Sequence, residues 1–278
     1  MKTFLLSTVA IAMLSTAVSA ADLDVAPEPI MDNWAGWYAG LNIGYGFAND
    51  PDVNITGSDR FQENQMYGFI PYSLDPESSG VFGGGQVGYN WQGENFVYGL
   101  EGDFQFSDID GRDAFEERRE HSSPGTLPSV QEINGNGQGG LHRTSARQKL
   151  KWFSTVRGRF GLPLGETFLF YGTAGLAFGK VKNQANAGSV YKDELSPSHP
   201  ASYSKTKVGW TAGFGSEMKI TEAISFKVEY LYLDLGKKTL NGDRVCSELC
   251  EKTESTEYAS YKFKNQFHTV KAGFNWGF

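Results

Sequence analysis

The last stretch of the chain, Lys262 to Phe278, reads KFKNQFHTVKAGFNWGF and decides the fold. One set of alternating residues is apolar and ends in aromatic side chains: His268, Val270, Ala272, Phe274, Trp276 and Phe278. The other set is mostly small or polar: Phe267, Thr269, Lys271, Gly273, Asn275 and Gly277. Because side chains alternate between the two faces of a strand, this stretch is predicted to be a two-faced β-strand. Its apolar face and aromatic end favour a strand that closes a barrel with lipid outside.

The same residues predict how the strand is handled by the cell. Gly273, Trp276 and Phe278, with Lys271, resemble the C-terminal signal by which outer-membrane barrels are recognised for assembly. The signal is short, and the edge strand of a soluble protein would show the same pattern. The alternative of a soluble sheet therefore stays open at this point.

The N-terminal residues predict export. Lys2 precedes an apolar run over residues 4–18, and Val18-Ser19-Ala20 supplies small residues for cleavage. This is the pattern of a signal peptide over residues 1–20, cleaved after Ala20. A membrane anchor is the alternative, but the run is too short to span a bilayer. Residues 21–33, with two prolines and four acids, are predicted to be an extended periplasmic tether. Residues 34–278 then form the barrel domain.

Composition limits the classes of function. The 278 residues carry 25 basic and 32 acidic side chains, a net charge of −7, which argues against nucleic acid as a partner. No run of 18 apolar residues follows the signal peptide, so no transmembrane helix is predicted. A barrel hides its membrane signal in alternation, so a polar average does not exclude a membrane protein.

Eight segments alternate like the last strand. They are residues 37–47, 80–91, 96–106, 149–162, 168–179, 207–218, 224–235 and the terminal strand. In the fourth of them, Leu150 and Trp152 belong to the apolar face and Lys151 to the other face. The predicted fold class is all-β: an eight-stranded antiparallel transmembrane β-barrel of the outer-membrane type with long extracellular loops.

The connections between segments alternate in length, which supports this fold. Residues 92–95, 163–167 and 219–223 form short turns. The connections 48–79, 107–148, 180–206 and 236–260 are long. Short periplasmic turns and long outer loops are typical of outer-membrane barrels. A secreted lipocalin-type barrel is the alternative, but it would keep its apolar residues inside, whereas here the charges share the inward face.

The inward face of the predicted barrel carries charges of both signs. They are Glu101, Asp103, Arg157, Arg159, Glu217, Lys227, Glu229 and Lys271, with Lys207 at the same parity. Buried charges need partners, so we expect an ion-pair network inside a narrow barrel. Acid–base chemistry by neighbouring carboxylates is the alternative. The sequence shows no Ser-His-Asp set and no His cluster with metal-ligand spacing, so neither an enzyme nor a metal site is expected.

Several motifs resemble one protein family. They are Trp37-Tyr38-Ala39-Gly40, Gly88-Tyr89-Asn90-Trp91, Trp152-Phe153-Ser154-Thr155-Val156-Arg157, Tyr171-Gly172-Thr173-Ala174-Gly175-Leu176-Ala177, Glu229-Tyr230-Leu231-Tyr232 and Phe267-His268-Thr269-Val270. The family is the alphaproteobacterial group of small outer-membrane immunogenic and haem-binding proteins, within the opacity-protein and OmpA-like eight-stranded barrels. The resemblance covers all eight strands and implies a location in the cell outer membrane.

Two functional hypotheses follow. The first is a barrel with a structural and surface-contact role, because eight strands leave room only for side chains inside. The second, which the resemblance also implies for some members, is a small porin-like channel. The expected partners are outer-membrane lipids, the barrel-assembly machinery, and haem or host surface molecules.

Haem enters as an optional ligand implied by the resemblance, and no cofactor is otherwise required. Its axial ligands would come from His121, His142 and His199 in the predicted outer loops. Tyrosines of those loops, Tyr67, Tyr72, Tyr191 and Tyr203, are further possible ligands. The alternative is that these are ordinary solvent-exposed loop residues.

Cys246 and Cys250 are the only cysteines, in the fourth outer loop. Disulfides form in the oxidising periplasm, and three intervening residues permit a turn that brings the two sulfurs together. A zinc site is the alternative, but two sulfurs without an intervening histidine supply only half of its ligands. A local disulfide at the loop tip is therefore predicted.

Overall fold

The structure, a computed structural model, describes residues 34–49, 51–66, 68–118, 141–191, 194–245 and 258–278. The predicted signal peptide and tether lie outside these residues and stay predictions. Within the described part, no helix is long and apolar enough to cross a membrane.

The described chain is almost entirely β-strand. In chain order its elements are β1 (Gly36–Ala48), β2 (Val53–Gly57), α1 (Asp59–Met66), β3 (Ser73–Leu74), β4 (Ser79–Gln92), β5 (Val97–Arg118), β6 (Leu141–Leu164), β7 (Phe168–Tyr191), β8 (Glu194–Ser198), β9 (Ala201–Lys219), β10 (Ile224–Asp243) and β11 (Tyr258–Gly277). Eight of these strands form an antiparallel ring in the order β1-β4-β5-β6-β7-β9-β10-β11, and β11 pairs back with β1. The predicted fold class is confirmed.

The terminal strand closes the ring with the predicted facing. Tyr38 pairs with Gly277, and the register continues to Ala48 opposite Phe267. Lys271 and Phe267 are buried in the lumen, whereas Trp276 is 45% exposed on the outer surface. The outer surface of this part of the ring is a continuous apolar band, because the outward residues of the other strands are also large and apolar. Such a band is what a lipid environment requires.

Three tight turns join strands at one rim, which is the periplasmic rim of such a barrel. They cover residues 93–96, 165–167 and 220–223. Gly165 has a φ of +63°, a left-handed conformation that a glycine adopts without strain.

At the opposite rim the strands continue far beyond the apolar band. β6 and β7 each have 24 residues, about 80 Å at ~3.3 Å per residue. The lipid-facing band of such barrels is only about 25 Å tall, so even tilted strands project well outside the membrane. The predicted loops 107–148 and 180–206 were therefore too long: residues 107–118, 141–148, 180–191 and 201–206 belong to strands.

Irregularities of pairing mark the outer edge of the band. The register shifts between Phe106 and Ile109 and between Leu150 and Phe153. A third shift lies between Asp234 and Lys237, where Gly236 has a φ of +72°. An extra residue in one strand reverses the facing of everything beyond it. The prediction that Leu150 faces lipid is consequently wrong: its side chain is 0% exposed and lies in the interior.

The first long connection is folded and not a free loop. β2 pairs with β11, with Ile55 opposite Tyr261, and β3 pairs with β2. These strands continue the ring above the end of β1. The helix α1 packs Phe61 into the cluster below it, where Phe61 is 2% exposed. This segment covers the outer opening of the barrel.

Candidate functional site

The lumen is the candidate site, because the predicted charged residues lie there. Its contents form layers that we describe from the periplasmic rim outward. At that rim Trp34, Val97, Leu169 and Tyr171 form a buried cluster, which we call the mouth plug. The Trp34 backbone N–H donates to Gln92 Oε1 at 2.8 Å, and Lys219 Nζ lies 5.3 Å from the Trp34 ring centre. The plug places an indole across the inner opening.

Above the plug lies the ion cluster, which holds all eight predicted interior charges. Its members are Glu101, Asp103, Arg157, Arg159, Glu217, Lys227, Glu229 and Lys271, and all are buried. Four carboxylates face four cations, so the cluster is neutral in total. Lys207 was expected at the same inward parity, but its Nζ lies outside the cluster and donates to the Lys237 carbonyl at 3.0 Å.

The strand register creates the pairing. Glu101 lies directly opposite Arg157, Glu217 opposite Lys227, and Glu229 opposite Lys271. Opposite charges at directly facing positions stabilise a sheet. Once the barrel has closed, the positions of these residues along their strands bring the opposite charges of the cluster together.

Arg157 joins three carboxylates. It pairs with Glu101, with Asp103 at 3.1 Å and with Glu229 at 3.0 Å. Lys271 Nζ lies 2.9 Å from both Asp103 and Glu229. The Asp103 and Glu229 carboxylates therefore each contact both cations, which links strands from opposite sides of the ring.

A second part of the cluster runs through Tyr38. Lys227 Nζ lies 2.6 Å from Glu101, and the Tyr38 hydroxyl donates to Glu101 Oε2 at 2.7 Å. Arg159 donates to the Tyr38 oxygen at 2.9 Å and pairs with Glu217 at 2.8 Å. Every charge of the cluster therefore has a partner of opposite sign, which offsets much of the cost of removing it from water.

The cluster offers little to a metal or a substrate. Oxygen atoms of Glu101, Asp103 and Glu229 lie within 4.8 Å of one another, a spacing that suits a cation. Arg157 pairs with all three, and Lys271 pairs with two of them. The protein's own cations already neutralise these carboxylates, and all of them are buried.

An amide chain beside the cluster was not identified from sequence. Asn42 donates to Gln86, Gln86 donates to Asn275 Oδ1 at 2.7 Å, and Asn275 donates to Glu217 Oε1 at 2.7 Å. Ser225 donates to the same carboxylate oxygen at 2.5 Å. Their inward parity was readable from the alternation, but the charges alone had been singled out.

Beyond the ion cluster the lumen becomes apolar. This lower apolar layer contains Phe82, Ile109, Leu150, Phe153, Ala177, Val181, Leu231, Leu233, Leu235 and Phe267. The rings of Phe82 and Phe153 meet edge to face with centres 5.1 Å apart. Aliphatic and aromatic side chains from both halves of the ring therefore fill the cross-section at this level.

Two further layers complete the filling. Asn183 donates to Asn265 Oδ1 at 3.0 Å and Gln148 donates to the same atom at 3.2 Å, forming an amide layer. Above it is the outer cap, an apolar cluster built from the strand extensions and the folded first connection. Its buried residues are Val53, Ile55, Phe61, Phe69, Ile70, Leu74, Ala146, Ala185, Ala187, Ala201, Leu240, Ala259, Tyr261 and Phe263.

Two of the predicted haem ligands, His142 and His199, lie against the outer cap. His199 is 6% exposed, with its ring edge-on to Phe61 at 5.4 Å. His142 lies on β6 and packs against Phe69 with ring centres 4.7 Å apart. Burial lowers the pKa of His142, so its ring is neutral at neutral pH. Neither residue is the solvent-exposed loop histidine that the alternative hypothesis described.

The remaining predicted site residues are distributed as follows. Tyr72 is exposed and Tyr203 packs against the lumen clusters, so they lie in different environments. Gly273 faces the lumen, where an added Cβ would lie 2.3 Å from the Leu41 carbonyl oxygen. Trp276 and Phe278 are exposed on the outer surface. His121, Tyr67, Cys246 and Cys250 lie outside the described residues, so their predicted roles stay predictions.

Comparison with known proteins identifies the family. The sequence model described as "Outer membrane protein beta-barrel domain" matches residues 8–278. The 31 kDa outer-membrane immunogenic protein of Brucella melitensis is 36% identical over the whole of both chains. The 22 kDa outer membrane protein of Rhizobium leguminosarum bv. viciae is 33% identical over 78% of this chain and 72% of its own.

A solved structure is similar at a greater distance. The outer membrane protein OprG of Pseudomonas aeruginosa aligns with 88% of this chain and 96% of its own, at 10% identity and a TM-score of 0.42. A likeness this weak carries no conclusion about the chain. The family match and the full-length relative do: the protein belongs to the outer-membrane β-barrel family of these immunogenic proteins, and it resides in the outer membrane.

Proposed function

We propose that the protein is a closed, non-conducting barrel whose role is to hold a folded surface structure outside the membrane. The observation that carries this proposal is the continuous filling of the lumen. The mouth plug, the ion cluster, the lower apolar layer, the amide layer and the outer cap follow one another along the axis. Each layer spans residues from several strands.

The outer part is built as a rigid platform. The strands extend beyond the apolar band, and the first connection adds β2, α1 and β3 to them. Buried apolar side chains hold these elements together, as in a soluble domain. A folded platform presents a fixed surface to antibodies or host molecules. This agrees with the word immunogenic in the names of the relatives.

A porin-like channel is less well supported. Eight-stranded barrels have interiors only wide enough for side chains, and here both charged and apolar side chains fill that space. The ion cluster also does not favour an enzyme, because its carboxylates are buried and paired with the protein's own cations. Haem is not part of this proposal, since His199 and His142 pack against residues of the outer cap.

Conductance and surface labelling together test the proposal. Purified folded protein in planar bilayers should show no steady open state. On intact cells, a membrane-impermeant maleimide should label Tyr72→Cys, which is exposed on the outer platform, and not Glu94→Cys in a periplasmic turn. Both variants are made with Cys246 and Cys250 replaced by serine. A large steady conductance, or labelling of the Glu94 position, would contradict the proposal.

A further inference from the structure

Lysines are concentrated on one level of the outer surface. Seven of them, which we call the lysine belt, lie on the strand extensions of β6, β7, β10 and β11: Lys149, Lys151, Lys180, Lys182, Lys237, Lys262 and Lys264. None of them is buried. The whole chain has a net charge of −7, so this concentration does not follow from composition.

The belt lies just outside the apolar band. Going outward from the apolar band on β6, Lys151 and then Lys149 come after Trp152. On β7, Lys180 and Lys182 come after Phe178 in the same outward direction. On all four strands the belt lysines lie within six residues of the last outward-facing ring, which is that of Trp152, Phe178, Tyr232 or His268. Six residues span about 20 Å along a strand and less along the membrane normal, because barrel strands are tilted. This is the depth of the lipid headgroups in the outer leaflet.

The belt covers one side of the barrel. No lysine occurs between Lys2 and Lys149, so β1, β4 and β5 contribute none. The extension of β5 instead carries carboxylates, including Asp108, Asp110 and Glu116. Among the described extensions of β7, β9 and β11 no acidic residue occurs. The two sides of the ring therefore differ in charge at the same level.

The sheet register places lysines against lysines. Lys149 lies directly opposite Lys182, and Lys237 lies directly opposite Lys264. Like charges at directly facing positions destabilise a sheet unless an anion lies between them. For Lys149 this anion is the Asp108 carboxylate, which lies 2.7 Å from its Nζ. Lys151, Lys180, Lys182, Lys237 and Lys262 form no ion pair with a described carboxylate.

We infer that the lysine belt binds the phosphate groups of phosphorylated glycolipid in the outer leaflet. Clusters of basic residues beside a membrane attract anionic headgroups. Here the cations form a curved row at headgroup depth, directly above a lipid-facing apolar band. A lipid whose acyl chains pack on that band brings its phosphates to the lysines without leaving the membrane.

The inference rests on the outer-membrane location and not on the closed lumen. A failure of the conductance test would therefore leave it standing, and its own failure would leave the closed barrel standing. The proposed ligand of the lysine belt is a lipid, whereas a soluble polyanion would reach the same lysines from the aqueous side. The experiment must separate these two sources of phosphate.

The test uses four belt lysines that lack a described ion-pair partner. In the variant K151Q/K180Q/K182Q/K262Q the neutral side chains keep most of their length. The matched variant K151R/K180R/K182R/K262R keeps the charge. Purified protein in detergent is incubated with diphosphoryl lipid A, and bound lipid is measured by native mass spectrometry. Heat-shifted gel mobility confirms that each variant is folded.

We expect the wild-type protein to retain the lipid, the glutamine variant to bind it at least tenfold more weakly, and the arginine variant to bind within about twofold of wild type. Lipid A without its phosphates should be retained at least tenfold less by the wild type. Equal binding by wild type and the glutamine variant would overturn the inference, as would equal binding of the two lipids. Displacement of the lipid by millimolar inorganic pyrophosphate would assign the belt to soluble anions and would also overturn it.

If the fourfold glutamine variant does not fold, the double variants K180Q/K182Q and K151Q/K262Q replace it. Each should weaken lipid binding by at least threefold on its own. Wild-type affinity in both folded double variants would overturn the inference.

Discussion

Arg157 shows how single residues hold the inside of this barrel together. Its guanidinium pairs with Glu101, Asp103 and Glu229, which come from β5 and β10. Both partners of each pair have side chains at most 2% exposed. A buried pair adds little net stability over an apolar replacement, but removing Arg157 leaves four buried carboxylates facing three cations, with one negative charge uncompensated. The ion cluster therefore matters most when it is incomplete.

Arg157→Ala should strongly destabilise the folded barrel. Removal of one side of a buried pair typically costs about 3–5 kcal/mol, and here three carboxylates lose a partner. The expected result is a lower urea concentration at the unfolding midpoint, followed by tryptophan fluorescence in detergent. The matched control is Arg143→Ala on the same strand, because Arg143 pairs with Glu116 where both side chains are exposed, 41% and 48%. Exposed pairs contribute about 0–1 kcal/mol, so equal midpoints for the two variants would contradict the ion-cluster reading.

At the scale of elements, the folded first connection is distinctive, because the membrane-spanning part of the barrel does not need it. β2 continues the ring by pairing with β11, and α1 lies over the opening with Phe61 inserted below it. Buried apolar contacts, and not the lipid, hold this segment in place. A mutation should therefore be able to detach this segment without unfolding the barrel below it.

Phe61→Ala should release this segment without unfolding the barrel. Truncation of a buried phenylalanine typically costs about 3–5 kcal/mol, which exceeds what a short two-strand attachment can supply alone. We expect faster proteolysis within residues 51–74 on intact cells, with unchanged heat-shifted gel mobility. Met66→Ala on the same helix is the control, because Met66 is 68% exposed. If both variants resist protease like the wild type, Phe61 does not anchor the segment.

The elements also show where sequence reasoning succeeds and where it fails. Inside the apolar band the outward residues are apolar and the inward ones polar, so alternation in residues such as Phe274 and Lys271 reveals both strand and facing. Beyond the band the strands are surrounded by water, so polar side chains face outward and apolar side chains face inward. On β7, Lys180 and Lys182 point outward while Val181 and Ala185 are buried. The pattern then resembles a soluble strand, and the sequence does not reveal its continuity with the membrane strand.

A second failure has a different physical cause. The shift beside Leu150 inserts one residue, so the side chains of β6 from Leu141 to Leu150 have the opposite facing to the one that the band predicts. Nothing in the residue types around Trp152 marks the shift, because both Lys151 and Trp152 are ordinary at a membrane boundary. The interior charges were found because their strands are regular between the turn and this boundary. The positions of the bulges become visible only when the strands are paired in the closed ring.

At the scale of the whole molecule, two closures of different chemistry lie in series along the axis. The ion cluster closes the barrel with paired charges, and the lower apolar layer closes it with packed rings and aliphatic chains. An ion that crosses must break the pairs in the first and enter an apolar space in the second, which is costly without hydration. Neither closure depends on the other, since they occupy successive inward positions of the same strands.

The double variant F82A/F153A tests this arrangement, because it opens the apolar closure alone. These two rings come from β4 and β6 and meet inside the lumen with centres 5.1 Å apart. The matched control is F104A/F106A, which removes an equivalent ring pair, with centres 5.0 Å apart, from the lipid face. We expect both variants to show no steady conductance in planar bilayers, because the ion cluster remains closed below the new cavity. The F82A/F153A barrel should unfold at a lower urea concentration, since lost ring contacts leave a cavity in the interior. A steady open state in F82A/F153A, absent from F104A/F106A, would show that the paired charges alone do not exclude ions and that the apolar layer is the barrier.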